Sequence, residues 1–170
     1  MNQTKTDLSN LNDKQREAVV SEDKRLLVLA GAGSGKTKTL LQKLIYLIEE
    51  KGVSPSSILA ITFTKNATNE MIDRLIISAD TTGQYKSMLF DKRMSKADKD
   101  KERFSNQKKY KWIDGLTVRT FHSLCYSILR NYGVNEFDNK FRIIGDEKRG
   151  EEDELSKHVA PETVFEVVHK

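Results

Sequence analysis

Residues 30–37 read Ala30-Gly31-Ala32-Gly33-Ser34-Gly35-Lys36-Thr37 and follow the apolar run Leu26-Leu27-Val28-Leu29. Glycines at this density let a backbone turn tightly and aim several N–H groups into one concavity, which suits a phosphate. Lys36 has the reach to meet outer phosphates, which makes it the candidate catalytic cation. Thr37 follows with a hydroxyl oxygen suited to a magnesium ion. A helix starting there adds the partial positive charge of its N-terminus. The strict form of this motif opens on Gly where the chain has Ala30, and a methyl group costs little there if the backbone angles are ordinary. The bland alternative is a Gly-rich turn before a helix. The order strand, loop, helix argues for the phosphate-binding reading.

Other reactive side chains carry less. His122 has no Cys or His partner at metal-ligand spacing, so it does not read as a metal ligand. Cys125 falls on an apolar helical stripe, where a buried thiol is the ordinary outcome. As the sole cysteine it excludes an internal disulfide framework and suits a reducing compartment.

The elements that must hold the loop follow from periodicity. Residues 13–20 predict a short helix, with Asn12 as N-cap and Gln15 three residues on, the spacing of a capping box. Residues 26–30 predict the first strand. Leu40, Leu41, Leu44, Ile45, Leu47 and Ile48 mark a helix from Thr37 to Lys51, stopped at Gly52. Residues 58–63 predict a second, buried strand, and Ala67, Met71, Ile72, Leu75 and Ile76 the next helix. A third short strand covers 116–119. The stripe Phe121, Leu124, Cys125, Ile128, Leu129 and Tyr132 predicts a last helix closed by Gly133. Strands alternating with helices predict an α/β layered, largely parallel sheet.

Two segments break this rhythm. Residues 86–111 hold ten basic and four acidic side chains, a larger excess than the net charge of +4 of all 170 residues. With few apolar positions, the segment reads as an inserted lobe or mobile loop outside the core. The tail from Asp146, with Glu151-Glu152-Asp153-Glu154, reads as a solvated helical segment. The chain has room for about one domain. The modest basic excess permits a polyanionic partner without requiring one. No apolar run approaches the roughly 20 residues that span a bilayer and no signal core follows the N-terminus, so a cytoplasmic location is expected.

Three further segments narrow the reading. Leu11-Asn12-Asp13-Lys14-Gln15-Arg16-Glu17-Ala18-Val19 precedes the loop. Ile61-Thr62-Phe63-Thr64-Lys65-Asn66-Ala67 ends the second predicted strand, and Thr120-Phe121-His122-Ser123-Leu124 follows the third. In order and spacing these resemble the N-terminal part of UvrD/Rep-type superfamily 1 DNA helicases, over roughly residues 8–78 and 116–146. The resemblance implies a P-loop NTPase (RecA-like) parallel sheet flanked by helices, here incomplete and with a charged insertion. Residues 1–145 would form the N-terminal part of the ATP-binding domain, 79–115 the basic insertion, and 146–170 the start of a helical subdomain or tail.

The resemblance also implies roles. ATP and Mg2+ would be the cofactors, with residues 30–37 and Lys38 around the phosphates. Family members commonly have Arg where this chain has Lys38, which removes any contact that needs a planar guanidinium. Gln15 would read adenine through a two-bond match, or serve the capping box alone. Thr62, Phe63, Thr64, Lys65 and Asn66 would face single-stranded DNA, with Phe63 stacking on a base or else ending the strand in the core. The family usually has Asn then Lys where this chain has Lys65 then Asn66. Thr120, Phe121 and His122 would form a second DNA contact, with a structural His122 as the other reading. The 86–111 segment would either add phosphate contacts or remain a solvated loop.

Hydrolysis needs an acidic pair to hold magnesium and activate water. The one similar stretch is Phe141-Arg142-Ile143-Ile144-Gly145-Asp146-Glu147, whose Arg142 and Gly145 suit a buried strand poorly. Phe141, Ile143 and Asp146 instead resemble the family's segment immediately after the Thr-Phe-His helix. The expectation is an N-terminal helicase fragment, 3′ to 5′ by likeness, whose partners are single-stranded DNA and the missing C-terminal helicase domains. Its incomplete sheet would make it unstable or self-associating. The alternatives are a non-hydrolysing ATP and single-stranded-DNA binding module, or a small complete P-loop ATPase using Asp146 or Glu147.

Overall fold

Capping chemistry starts the helices close to where the sequence places them. In the computed structural model, which describes residues 8–132, helix α1 spans Asp13–Val20. Asn12 Oδ1 accepts the Gln15 N–H at 2.9 Å while Gln15 Oε1 accepts the Asn12 N–H at 3.1 Å, a complete capping box. Helix α2, Lys36–Glu49, begins at Gly35 with no side-chain cap. It ends before Gly52 (φ +65°), whose left-handed turn lets the Val53 N–H reach the Leu47 carbonyl at 2.9 Å.

A 3₁₀ turn, Pro55–Ser57, leads into strand β1, Leu59–Thr62. Helix α3, Lys65–Ala79, follows; Thr64 Oγ1 caps it by accepting the Ala67 N–H at 3.1 Å. Helices α4 (Gln84–Leu89), α5 (Lys96–Lys109) and α6 (Lys111–Asp114) come next, then strand β2 (Thr117–Thr120) and helix α7 (Phe121–Tyr132). The described residues form two units divided after Cys125. Of the second unit the description covers only Tyr126–Tyr132, the last turns of α7.

In the first unit, β1 and β2 pair in parallel, with Leu59 opposite Thr117 and Thr62 opposite Thr120. Parallel neighbours need a crossover, and α3 with the three helices after it supplies one. The core gathers around α3. Met71, Ile72, Leu75, Ile76 and Ala79 are buried against Leu41 and Leu44 of α2, Ile58 just before β1, Ala60 of β1, and Tyr85, Ile113 and Leu116. Each fully buried leucine or isoleucine here contributes about 1.5–3 kcal/mol. Ala60 is buried, whereas Leu59 and Ile61, on the opposite face of the same strand, are about half exposed.

One expectation changes. Residues 26–30 form no strand: among the described residues nothing pairs with them, and Leu27 and Leu29 are 82% and 86% exposed. A strand is a relation between two backbones, and apolar composition alone does not supply the partner. The paired sheet therefore has two strands, formed by the predicted second and third.

Of the two forms expected for the basic segment, lobe or loop, the structure has a helical lobe. Ser95 Oγ caps α5 by accepting the Asp98 N–H at 3.1 Å, and Lys108 and Lys109 lie in the last turn, where the helix dipole favours cations. No residue of α5 is buried, yet the lobe sends Tyr85 and Ile113 into the core. Gly133, the Phe141–Glu147 stretch, and the tail from Asp146 with its acidic run all lie outside the described residues. No described helix is long and apolar enough to cross a membrane.

Candidate nucleotide and nucleic-acid site

The phosphate loop joins the exposed segment 26–30 to α2. Ala30, Gly31, Ala32, Gly33 and Ser34 are all exposed. Gly33 (φ +74°) and Gly35 (φ +83°) adopt left-handed angles that disfavour any side chain. At Gly35 there is a second constraint, because a Cβ would sit 2.8 Å from Gln15 Nε2. Ser34 closes the turn, its hydroxyl donating to the Gly31 carbonyl at 2.7 Å. With no side chain capping α2, its first N–H groups are left for an anion.

Lys36 bends back over the loop. Its Nζ donates to the Ala30 carbonyl at 3.0 Å and the Gly31 carbonyl at 2.6 Å. A phosphate entering the loop would exchange those carbonyls for its own oxygens. Thr37, half-buried in the first turn of α2, has a hydroxyl with no hydrogen-bond partner among the described residues. A hard hydroxyl oxygen beside phosphate oxygens is the ligand type Mg2+ takes, so the residues fit that ion. Lys38 is committed elsewhere, its Nζ donating to the Asn10 carbonyl ahead of α1.

Gln15 links the capping box to the loop. Nε2 donates to the Ser34 carbonyl at 2.8 Å, while Oε1 already accepts from Asn12. These bonds use one hydrogen of Nε2 and one lone pair of Oε1, and the second of each is the pair an adenine would need. Sequence spacing signalled the capping box; it gave no sign of the Ser34 contact, 19 residues away.

The other candidate residues meet at the C-terminal ends of the strands. The register sets Thr62 opposite Thr120, so the segments Thr62–Asn66 and Thr120–His122 leave the sheet side by side. Phe63 is 94% exposed, which rules out a core position. Lys65 and Asn66 are exposed on the first turn of α3. The hydroxyls are less free: Thr62 Oγ1 shares a 2.6 Å hydrogen bond with Thr68 Oγ1, and Thr64 Oγ1 is the cap of α3. Thr120 Oγ1 accepts the Ser123 N–H at 3.2 Å. Phe121 and His122, both exposed, meet edge to face at 6.3 Å between ring centres. No cluster of three His, Cys, Asp or Glu able to hold a metal occurs among the described residues.

The profile of the UvrD/REP helicase N-terminal domain matches residues 11–167. The chain belongs to this family. Within it, the chain is 36% identical over 145 residues to a probable DNA helicase II homolog of Mycoplasma capricolum, covering 84% of this chain and 16% of that protein. It is 38% identical over 124 residues to the ATP-dependent DNA helicase UvrD1 of Mycobacterium tuberculosis, covering 73% and 12%. To the ATP-dependent DNA helicase PcrA of Staphylococcus aureus it is 36% identical over 123 residues, covering 72% and 13%. The chain thus spans a small fraction, 16% or less, of the length of these relatives.

One feature of this UvrD/REP domain escaped sequence reasoning. The buried Asp73 on α3 accepts from Arg103 Nε at 2.6 Å and from Arg103 Nη2 at 3.0 Å, thirty residues away. It also accepts from the Tyr85 hydroxyl at 2.5 Å. Arg103 donates to Asp100 as well. Burial pushes the Tyr85 hydroxyl well above its usual range, and the neighbouring Asp73 carboxylate adds to this. Burial opposes the charge on Arg103, but its bonds to Asp73 and Asp100 more than offset that, and its pKa rises. These bonds pin the charged lobe to α3.

Proposed function

We propose that this chain is the ATP-binding and single-stranded-DNA-binding portion of an ATP-dependent DNA helicase of the UvrD/REP type, built on a RecA-like P-loop fold. The hydrogen bond from Gln15 Nε2 to the Ser34 carbonyl carries this reading. It joins the residue that the family likeness assigns to adenine to the loop that the glycines shape for phosphate, so that base and phosphate recognition share one seat. Helicase names among the relatives and the paired ends of the two strands support the DNA half.

In this reading the free N–H groups at the start of α2 and the Lys36 ammonium hold the phosphates. Thr37 holds Mg2+, which when bound neutralises charge on the outer phosphate oxygens. Phe63 stacks on a base, Lys65 and Asn66 hold DNA phosphates, and Thr120, Phe121 and His122 form the neighbouring contact. Water activation and the coupling of hydrolysis to 3′ to 5′ translocation require the acidic motif and the second RecA-like domain that the family likeness implies.

The test is ATP binding and turnover by the 170-residue chain, with and without single-stranded DNA, beside Lys36→Ala. Binding that weakens at least tenfold in Lys36→Ala, with no turnover above that control, is the expected result. An absence of ATP binding would overturn the reading. DNA-stimulated turnover abolished by Lys36→Ala would replace it with a complete ATPase and direct attention to Asp146 and Glu147.

A further inference from the structure

Between α3 and the basic lobe runs an open groove of about 960 Å3. One wall is a face of α3 from Asn66 to Ile77, at helical spacing through Asn69, Asp73 and Arg74. At a helical rise of about 1.5 Å per residue, this wall is about 16 Å long. The opposite wall includes Lys96, Lys99 and Arg103, one face of α5, with Lys86 and Phe90 from α4 and its end. Asn66, the last residue of the segment Thr62–Asn66, lines the groove.

The charge in this groove is not balanced. Its acidic residues are already engaged: Glu70 pairs with Arg74 at 2.7 Å, and Asp73 and Asp100 with Arg103. Lys86, Lys96 and Lys99 form no ion pair among the described residues, and the nearby Asp91 is held by Arg93 at 2.9 Å. Five cations and three carboxylates line the groove, an excess of two positive charges, and the three ammonium groups are the cations that no ion pair holds. Phe90 is 70% exposed. Phe104, on the same lobe, has Lys108 over its ring at 4.4 Å, whereas no cation or ring covers Phe90 among the described residues. Lysines held in no ion pair beside a bare aromatic ring are the composition of a single-strand track, since phosphates meet the ammonium groups and a base meets the ring. A duplex would offer phosphates but no free base face.

From this we infer that the groove between α3 and the basic lobe extends the single-stranded-DNA path beyond Asn66. Lys86, Lys96 and Lys99 contact phosphates and Phe90 stacks on a base. The inference rests on the DNA-binding half of the proposed function and adds a segment of track to it.

The test is fluorescence anisotropy of labelled oligothymidylate with the full 170-residue chain across a salt series. Removing three phosphate contacts with Lys86→Ala/Lys96→Ala/Lys99→Ala should flatten the slope of log affinity against log salt by about 2. Phe90→Ala should weaken binding at least about fivefold. A matched control, Lys101→Ala/Lys108→Ala/Lys111→Ala, removes equal charge from the lobe outside the groove and should change the slope less. Circular dichroism confirms that each variant is folded.

Equal effects of the two triple variants would reduce the groove to a general charge effect and overturn the inference. An unchanged slope in the groove variant, with binding lost in Phe63→Ala/Lys65→Ala, would overturn the groove while leaving the proposed function standing. Loss of affinity for a blunt duplex but not for oligothymidylate would reassign the surface and also overturn it. No binding of oligothymidylate by the unaltered chain would remove the DNA-binding reading itself.

Discussion

At the residue scale, Gln15 is asked to do two things with one amide. Its oxygen completes the capping box of α1 and its nitrogen holds the phosphate loop. Gln15→Glu separates them, because a carboxylate still accepts from the Asn12 N–H but has no hydrogen to give Ser34 or a base. Thermal unfolding of this variant should stay within about 0.5 kcal/mol of the unaltered chain. ATP affinity, measured by calorimetry, should fall roughly tenfold, the scale of a lost two-bond base match. Unchanged ATP affinity would leave Gln15 as a cap alone. Lys38 shows the same economy: the loop-adjacent cation is tied to the Asn10 carbonyl, so α1 and α2 share contacts on both flanks of the loop.

At the element scale, the lobe is held by Tyr85 and Ile113 in the core, by Met88, Tyr110 and Trp112 packed against it, and by one buried ionic cluster. Arg103→Met leaves Asp73 a buried carboxylate with only the Tyr85 hydroxyl, at a cost of about 3–5 kcal/mol. Replacing all three partners, as in Asp73→Leu/Tyr85→Phe/Arg103→Met, should recover most of that loss, since an apolar set carries no desolvation penalty and leaves no buried hydroxyl unpaired. Urea denaturation of the two variants measures the difference; equal losses would show that the helices dock by shape rather than by charge. Sequence reading succeeded and failed at this scale for physical reasons. The helices α2 and α3 were legible because each buries a stripe whose period is written locally; α7 follows the same period although none of its described residues is buried, Cys125 included. The lobe's helices were not, since α5 buries nothing and its anchor pairs residues thirty apart. The strand expected at 26–30 has the right residues, but its hydrogen bonds depend on a neighbour that no local pattern specifies. The turn geometry of residues 30–37, conversely, was legible because the left-handed angles of Gly33 and Gly35 and the reach of Lys36 are local properties.

At the scale of the whole molecule, the exposed apolar surface sets the behaviour in solution. Leu27 and Leu29 are more than four-fifths exposed, and Leu59 and Ile61 present the uncovered face of β1. Each strand of the two-stranded sheet also has one unpaired edge. Backbone groups without partners and apolar side chains in water favour the same remedy, pairing with another chain. Sedimentation velocity should therefore show self-association that grows with protein concentration. Leu27→Lys/Leu29→Lys should suppress it by adding charge where a strand would otherwise pair. Because those side chains are exposed and bury little within the fold, the melting temperature of the variant should hardly move. A chain that stays monomeric at all concentrations would mean that residues 26–30 are covered in solution. A variant that unfolds would mean that they pack against this fold after all.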